Sequence, residues 1–435
     1  MRNFIEFNKG LFDFISQSGS SFHATSLIKS RLLDAGFKEL KETQSWQISK
    51  GKGYFVVRDS GSIIAFTKGI KKEFSDGFQI VGGHTDSPSL QIKPTPLIEN
   101  KNNLSLGVEV YGCPLLGTWF DRDLSLAGRV YILDQNDKLQ ELLIDFKRPL
   151  LTIPSLAIHL DREANSNRTI NAQKDIVPIL SRQLNEQPVN FEKIIKEQVH
   201  TQYNEIEVEK VLSFELFCYD TQEPVYTGLN KDFISASRLD NLLSCYSGLE
   251  AMIQAGFETN MMLLCYNHEE IGSTTLSGAN GAFVEAIFER LIQNSVERRI
   301  CFANSFHISM DNAHASHPNY PEKSDPQHHI EMNEGVVIKN NSKQRYASNG
   351  YSSSFLKFVA EKAQVNTQEF VMRSDMACGS TIGSMTAAKL GIATVDIGAP
   401  TLGMHSIREI TGAKDPFDLY SLCLEFYKTS YKDVK

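Results

Sequence analysis

No apolar run in this 435-residue chain reaches the ~18 residues of a membrane span, and the opening MRNFIEFNKG lacks the long apolar stretch of a signal peptide. A cytoplasmic protein is expected from those two absences. CxxC pairs are missing as well: the seven cysteines are odd in number and scattered, and Cys218, Cys265 and Cys423 sit inside apolar runs. Reduced core residues fit this pattern better than a disulfide framework or a thiolate zinc site. Neither the glycine-rich dinucleotide fingerprint nor the Walker phosphate loop occurs, which argues against a nucleotide enzyme. Positive charge is in deficit, the formal net charge being −8, so neither nucleic acid nor an anionic membrane is expected as a partner. Repeats and low-complexity tracts are absent, and 41% hydrophobic with 22% charged residues is the composition of a soluble globular protein.

What the chain does contain is a set of apolar runs that stop at reactive residues. In MMLLCYNHEEIGS, residues 261–273, an unbroken apolar and aromatic run suits a strand covered on both faces, and it ends at Glu269 and Glu270. Open α/β sheets carry their chemistry at the carboxyl ends of strands. Adjacent side chains on extended backbone point to opposite sides, so one carboxylate could hold metal while the other moves protons. A solvated acidic pair is the competing reading. A second run, FQIVGGHTDSP at 78–88, ends at His84 and Asp86. Alone His84 could be structural, but a carboxylate near an imidazole is a common device for orienting a metal ligand. FHISM leads into Asp311, and the loop TLGMHSIRE after IATVDIGAP carries His405. Asp240 opens a helix expected over 241–255, where it could be no more than a cap.

The length calls for about two domains. Amphipathic helices are expected over 3–17 and 21–35, and strands then alternate with helices through residues 1–92 and 232–435, with helices at 279–293 and 416–431. Between them, residues 93–231 give short alternating segments such as LSLGVEVYG, AGRVYIL and KVLSFELFCYD, and one helix over 191–202. A mostly β unit is therefore expected to interrupt an α/β one. His159 falls within it, in the apolar LLTIPSLAIHLDRE, where a hydrogen-bonded core histidine is the default expectation.

His84, Asp240, Glu270, Asp311 and His405 together are the ligand set of a two-metal hydrolase, with oxygen and imidazole donors suited to zinc, manganese or cobalt. Three ligand carboxylates and a hydroxide offset two divalent ions, which leaves Glu269 as a surplus proton acceptor. The motifs around these residues are GGHTDSPSL (82–90), LAIHLDRE (156–163), SRLDNL (237–242), NHEEIGS (267–273), MDNAHASHPNYPEK (310–323), VIKNNSKQRYA (337–347) and GMHSIRE (403–409). In that order, and over nearly the whole chain, they resemble the M18 family of metalloaminopeptidases, to which aspartyl aminopeptidase and vacuolar aminopeptidase I belong.

The resemblance implies an α/β zinc-peptidase domain, a central mixed sheet flanked by helices, interrupted by a smaller β-rich dimerisation domain. It implies dimers assembled into a dodecamer, and peptides with a free N-terminus as substrates. Each subunit would hold two divalent ions, zinc foremost: His84 and Asp311 on one, Glu270 and His405 on the other, Asp240 bridging. Asp86 would orient His84, and Glu269 would be the general base. Lys339 and Tyr346 lie in the family's substrate-side motif and would receive an acidic N-terminal side chain, while His159 would reach across the dimer interface toward the neighbouring site. Alternatives are an aminopeptidase preferring neutral or apolar residues, and a related two-zinc deacylase or amidohydrolase.

Overall fold

The computed structural model of the chain describes residues 3–182 and 189–434. Its first helix, Phe4–Gln17, begins where the Asn3 side chain accepts the Glu6 N–H at 2.9 Å, and it buries Phe7, Leu11, Phe14 and Ile15 along one face. Ser20 caps Ser21–Asp34 in the same way. These helices pack on a nine-stranded mixed sheet whose order is 38–39, 52–58, 62–68, 261–266, 79–84, 306–310, 393–398, 336–340 and 367–371. Four central strands, Met261–Tyr266, Gln79–His84, Phe306–Met310 and Ala393–Gly398, run parallel.

All residues of Met261–Tyr266 are buried, as its unbroken apolar run requires, because helices cover both faces of the sheet. One apolar core joins the sheet to helices Phe4–Gln17, Ser21–Asp34, Leu239–Ala255, Gly350–Ala363 and Asp415–Lys428. The opposite core joins it to Phe283–Leu291, Ser295–Ala303 and Ile382–Leu390. Full burial of each large apolar side chain in such a core contributes about 1.5–3 kcal/mol. Register then places the site: Tyr266 pairs with His84, and Met310 lies on the next strand, so three neighbouring strands end together.

A separate six-stranded antiparallel sheet, ordered 139–145, 124–134, 208–220, 89–100, 103–111 and 179–182, packs with helix Phe191–Gln202 around a core of its own. A five-stranded sheet of short strands includes Phe233–Ala236 and Glu409–Gly412. Among the described residues no helix is long and apolar enough to cross a membrane.

Three local expectations need correction. The helix expected over 279–293 is Phe283–Leu291, and a second helix, Ser295–Ala303, follows it; the Asn294 side chain accepts from the Val296 and Glu297 N–H groups and starts the new helix. The last long helix is Asp415–Lys428 and gives way at Thr429 to a short turn of helix, Tyr431–Val434. His159 is not a core histidine. It lies on an exposed turn beside Leu156, Ile158 and Leu160, which are 58%, 43% and 75% exposed.

Candidate metal centre

The carboxyl ends of the central strands gather the residues. His84 ends Gln79–His84, Asp311 follows Met310, and Glu269 and Glu270 follow Tyr266 on a single 3-10 turn. That turn is flanked by His268 (φ 66°) and Gly272 (φ 97°), and the His268 ring is held by Thr275 Oγ1 at 2.9 Å. The glutamates therefore sit on a tight turn and not on extended backbone, yet their carboxylates still diverge. Glu270 Oε1 is 3.5 Å from His405 Nε2, and Glu269 Oε2 is 4.0 Å from His84 Nε2.

Asp240 joins the two sides. Its Oδ1 lies 3.3 Å from His84 Nε2, and its Oδ2 lies 3.5 Å from His405 Nε2. The helix begins one residue earlier, at Leu239, with Arg238 in the cap position, and the backbone of Asp240 (φ −81°, ψ 106°) is not helical. Asp311 Oδ1 is 3.7 Å from His84 Nε2. Three overlapping donor groups result: His84, Asp240 and Asp311; Asp240, Glu270 and His405; and His84, Glu269 and Glu270.

These separations fit divalent ions. Two donors each about 2.0–2.2 Å from one tetrahedral zinc stand roughly 3.3–3.6 Å apart. Most of the observed pairs fall in or within 0.1 Å of that window, as the distances of 3.3, 3.5, 3.5 and 3.7 Å show. Asp240 Oδ1 and Glu270 Oε1 are moreover buried without a hydrogen-bond partner. Buried carboxylate oxygens left unpaired are costly unless a cation takes them up.

Hydrogen bonding sets the orientation of each donor. His84 Nδ1 donates to the Asp86 carbonyl at 3.0 Å, with Asp86 Oδ1 at 3.5 Å, so the main chain of Asp86 is the nearer partner. The Asp86 carboxylate turns instead to the glutamate turn, accepting the Glu269 and Glu270 N–H groups at 3.1 Å each and the Tyr111 hydroxyl at 2.8 Å. His405 Nδ1 donates to the Cys113 carbonyl at 3.1 Å, leaving Nε2 to face the carboxylates. Glu409 was not singled out from the sequence. Buried, it accepts the Asp240 N–H and the His405 N–H at 2.9 Å each, and nothing in the motif GMHSIRE reveals those backbone partners.

Electrostatics reflect the crowding. Burial, reinforced by the charges of Asp311, Asp86 and Asp240, pushes the Glu269 carboxyl up to about 7, against the pull of His84. Burial and then the neighbouring Asp240 raise Glu270 well above the usual carboxylate range. Burial opposes the charge of Asp240, yet His405 and His84 beside it hold its carboxyl below the ordinary value.

Of the other expected site residues, Lys339 is buried, and its ammonium donates to Asp311 Oδ2 and the Asn312 carbonyl at 3.2 Å each. It also lies 5.1 Å from the centroid of the Tyr346 ring. His159, alone among the expected site residues, lies on an exposed turn of the β-rich region.

The sequence profile described as Aminopeptidase I zinc metalloprotease (M18) matches residues 14–427. The chain belongs to the M18 family. A relative from Pseudomonas savastanoi pv. phaseolicola, named "Probable M18 family aminopeptidase 2", is 46% identical over 422 residues, 97% of this chain and 98% of the relative. Among solved structures, one from the Ape4 and Nbr1 complex superposes with a TM-score of 0.95 at 34% identity, over 98% of this chain and 86% of that one. The mApe1 dodecamer gives a TM-score of 0.85 at 25% identity, over 98% and 97% of the two chains. This M18 protein is accordingly a zinc metalloaminopeptidase, a hydrolase of peptide bonds, and its mixed α/β fold is that of the family.

Proposed function

We propose that this M18 aminopeptidase works with two ions: His84 and Asp311 hold one, Glu270 and His405 the other, and Asp240 serves both. The observation that carries this is the Asp240 carboxylate, whose two oxygens face a different imidazole each, at 3.3 and 3.5 Å. Ions bound there supply Lewis acidity toward the scissile carbonyl and toward water. Glu269 is surplus to both donor sets and takes the proton of the attacking water, then delivers it to the leaving amine. Asp86 holds the turn that carries this base. The carboxylates around the site favour a substrate with a free α-amine, which restricts cleavage to the first residue.

Acidic N-terminal residues are the preferred substrates in the finer form of this proposal. Lys339, a cation beside Asp311, is its support, and a substrate carboxylate has to share that ammonium with Asp311. For assembly, the exposed apolar turn around His159 supports contact with a second copy, as does the likeness to the mApe1 dodecamer. His159 would then serve the site of its neighbour.

A panel of N-terminal aminoacyl substrates, run after metal removal and add-back of zinc, manganese or cobalt, tests this. Free amino acids should be released from unblocked peptides only, and only after metal is restored. Release of acyl groups from N-acylated substrates would favour a deacylase. Equal or faster cleavage of leucyl over aspartyl and glutamyl substrates would overturn the acidic preference.

A further inference from the structure

The strand Asn103–Tyr111 of the six-stranded sheet and the turn after it touch the metal centre at several points. Tyr111 pairs with Ser89, which follows three residues after Asp86, and this register aims the buried Tyr111 hydroxyl at Asp86 Oδ2, 2.8 Å away. The ring is fixed edge-on against Phe217, with centroids 5.4 Å apart. Gly112 comes next with φ 71°, and a Cβ there would stand 3.1 Å from Glu270 Cβ. A side chain at this position would be strained and would press on Glu270. The Cys113 carbonyl accepts from His405 Nδ1, the Leu115 N–H donates to the His405 carbonyl at 2.9 Å, and Thr118 Oγ1 accepts the Ile407 N–H at 3.0 Å.

We propose that residues 111–118 brace the metal centre, with Tyr111 as a positioning residue: the β-rich sheet sets how tightly the ion between Glu270 and His405 is held. This rests on the two-ion reading of the site. Two links carry the effect. Tyr111 is one of three donors to the Asp86 carboxylate, and the other two are the N–H groups of Glu269 and Glu270, so loosening Asp86 loosens the turn that presents Glu270. The Cys113 carbonyl accepts only from a protonated Nδ1, which keeps the Nε2 lone pair of His405 available toward Glu270 and Asp240. A loop at a distance in sequence thereby sets two of the donors of one ion, Glu270 and His405.

The test titrates zinc into the metal-depleted full-length chain against a chromophoric chelator. It compares wild type with Tyr111→Phe and Thr118→Val, and with Tyr219→Phe as a control. Tyr219 also gives its hydroxyl to a carboxylate in the same sheet, Asp145 Oδ1 at 2.6 Å, so its loss is a comparable insult away from Glu270. Tyr111→Phe should weaken binding of one ion by about 10- to 100-fold, as loss of partners behind a ligand commonly does. Thr118→Val should weaken it in the same direction, and Tyr219→Phe should bind zinc as wild type does. Wild-type affinity in both Tyr111→Phe and Thr118→Val overturns the brace, as does an equal loss in Tyr219→Phe. A wild-type chain that takes up no zinc would remove the two-ion reading as well, an outcome distinct from failure of the brace alone.

Discussion

Glu269→Gln separates metal binding from proton transfer. The substitution keeps length and shape, and the backbone N–H that Asp86 Oδ1 holds at 3.1 Å is untouched, so the turn should stay in place. None of the donors His84, Asp240, Glu270, Asp311 and His405 is altered, so the ions should remain. On the role proposed for Glu269 what goes is the proton acceptor, and loss of a general base costs about 10²- to 10⁴-fold in turnover, roughly 2.7–5.4 kcal/mol of barrier. Stability should move the other way or not at all, because a neutral amide among Asp311, Asp86 and Asp240 relieves the repulsion that accompanies burial of the Glu269 carboxylate. Turnover on an aminoacyl substrate, with zinc content and thermal unfolding measured on the same preparation, reads all three quantities. Near-wild-type turnover in a fully metallated variant would refute the role of Glu269, and loss of zinc would make it a ligand.

His159→Ala should fold and keep its metal but turn over about 10²- to 10³-fold more slowly, the usual cost of losing a donor that acts in the transition state. Mixed with Glu269→Gln under conditions that exchange subunits, it should regain activity above either parent; flat activity after verified exchange would confine His159 to its own subunit or to no role. His307 supplies a pH test. It is fully buried, both ring nitrogens lack a hydrogen-bond partner, and burial lowers its pKa from 6.5 to about 3. Since the folded value lies below the unfolded one, this stability is complete above about pH 6.5 and is lost as pH falls toward 3, amounting to about 2 kcal/mol by pH 5. Urea unfolding at pH 7 and pH 5, with chelator present throughout, should show a smaller acid loss in His307→Leu than in wild type. Identical losses would contradict it.

Residues that end apolar runs were legible in the sequence because a buried strand stops where polar chemistry begins. His84, Glu269, Glu270 and Asp311 come together because the registers of three parallel strands coincide, which is a property of pairing that apolar patterning anticipates. Gly82 shows what patterning misses: a Cβ there would stand 2.7 Å from His307 Nε2, so this glycine, two residues before His84, makes room for a buried ring on the next strand. Glu409 and Tyr111 were equally hidden, since each acts through partners distant in sequence, the backbone N–H groups of Asp240 and His405 in one case and the Asp86 carboxylate in the other. The helix break at Asn294 was visible in principle as an Asn-Ser cap, but the apolar periodicity on either side obscured it. The apolar run around His159 misled for the opposite reason. Its leucines and isoleucine face solvent in the single chain, so hydrophobicity there does not mark a core.

Counting metal ions in Asp240→Ala decides whether one carboxylate serves two ions. Asp240 is 3% exposed and lies between His84 and His405, and its carboxylate is the one proposed to serve both ions. Elemental analysis of wild type and variant, depleted and reloaded with zinc under the same conditions, should find two ions per wild-type chain. The variant should lose both ions together with its aminopeptidase activity; two ions per chain retained in Asp240→Ala would contradict the shared site.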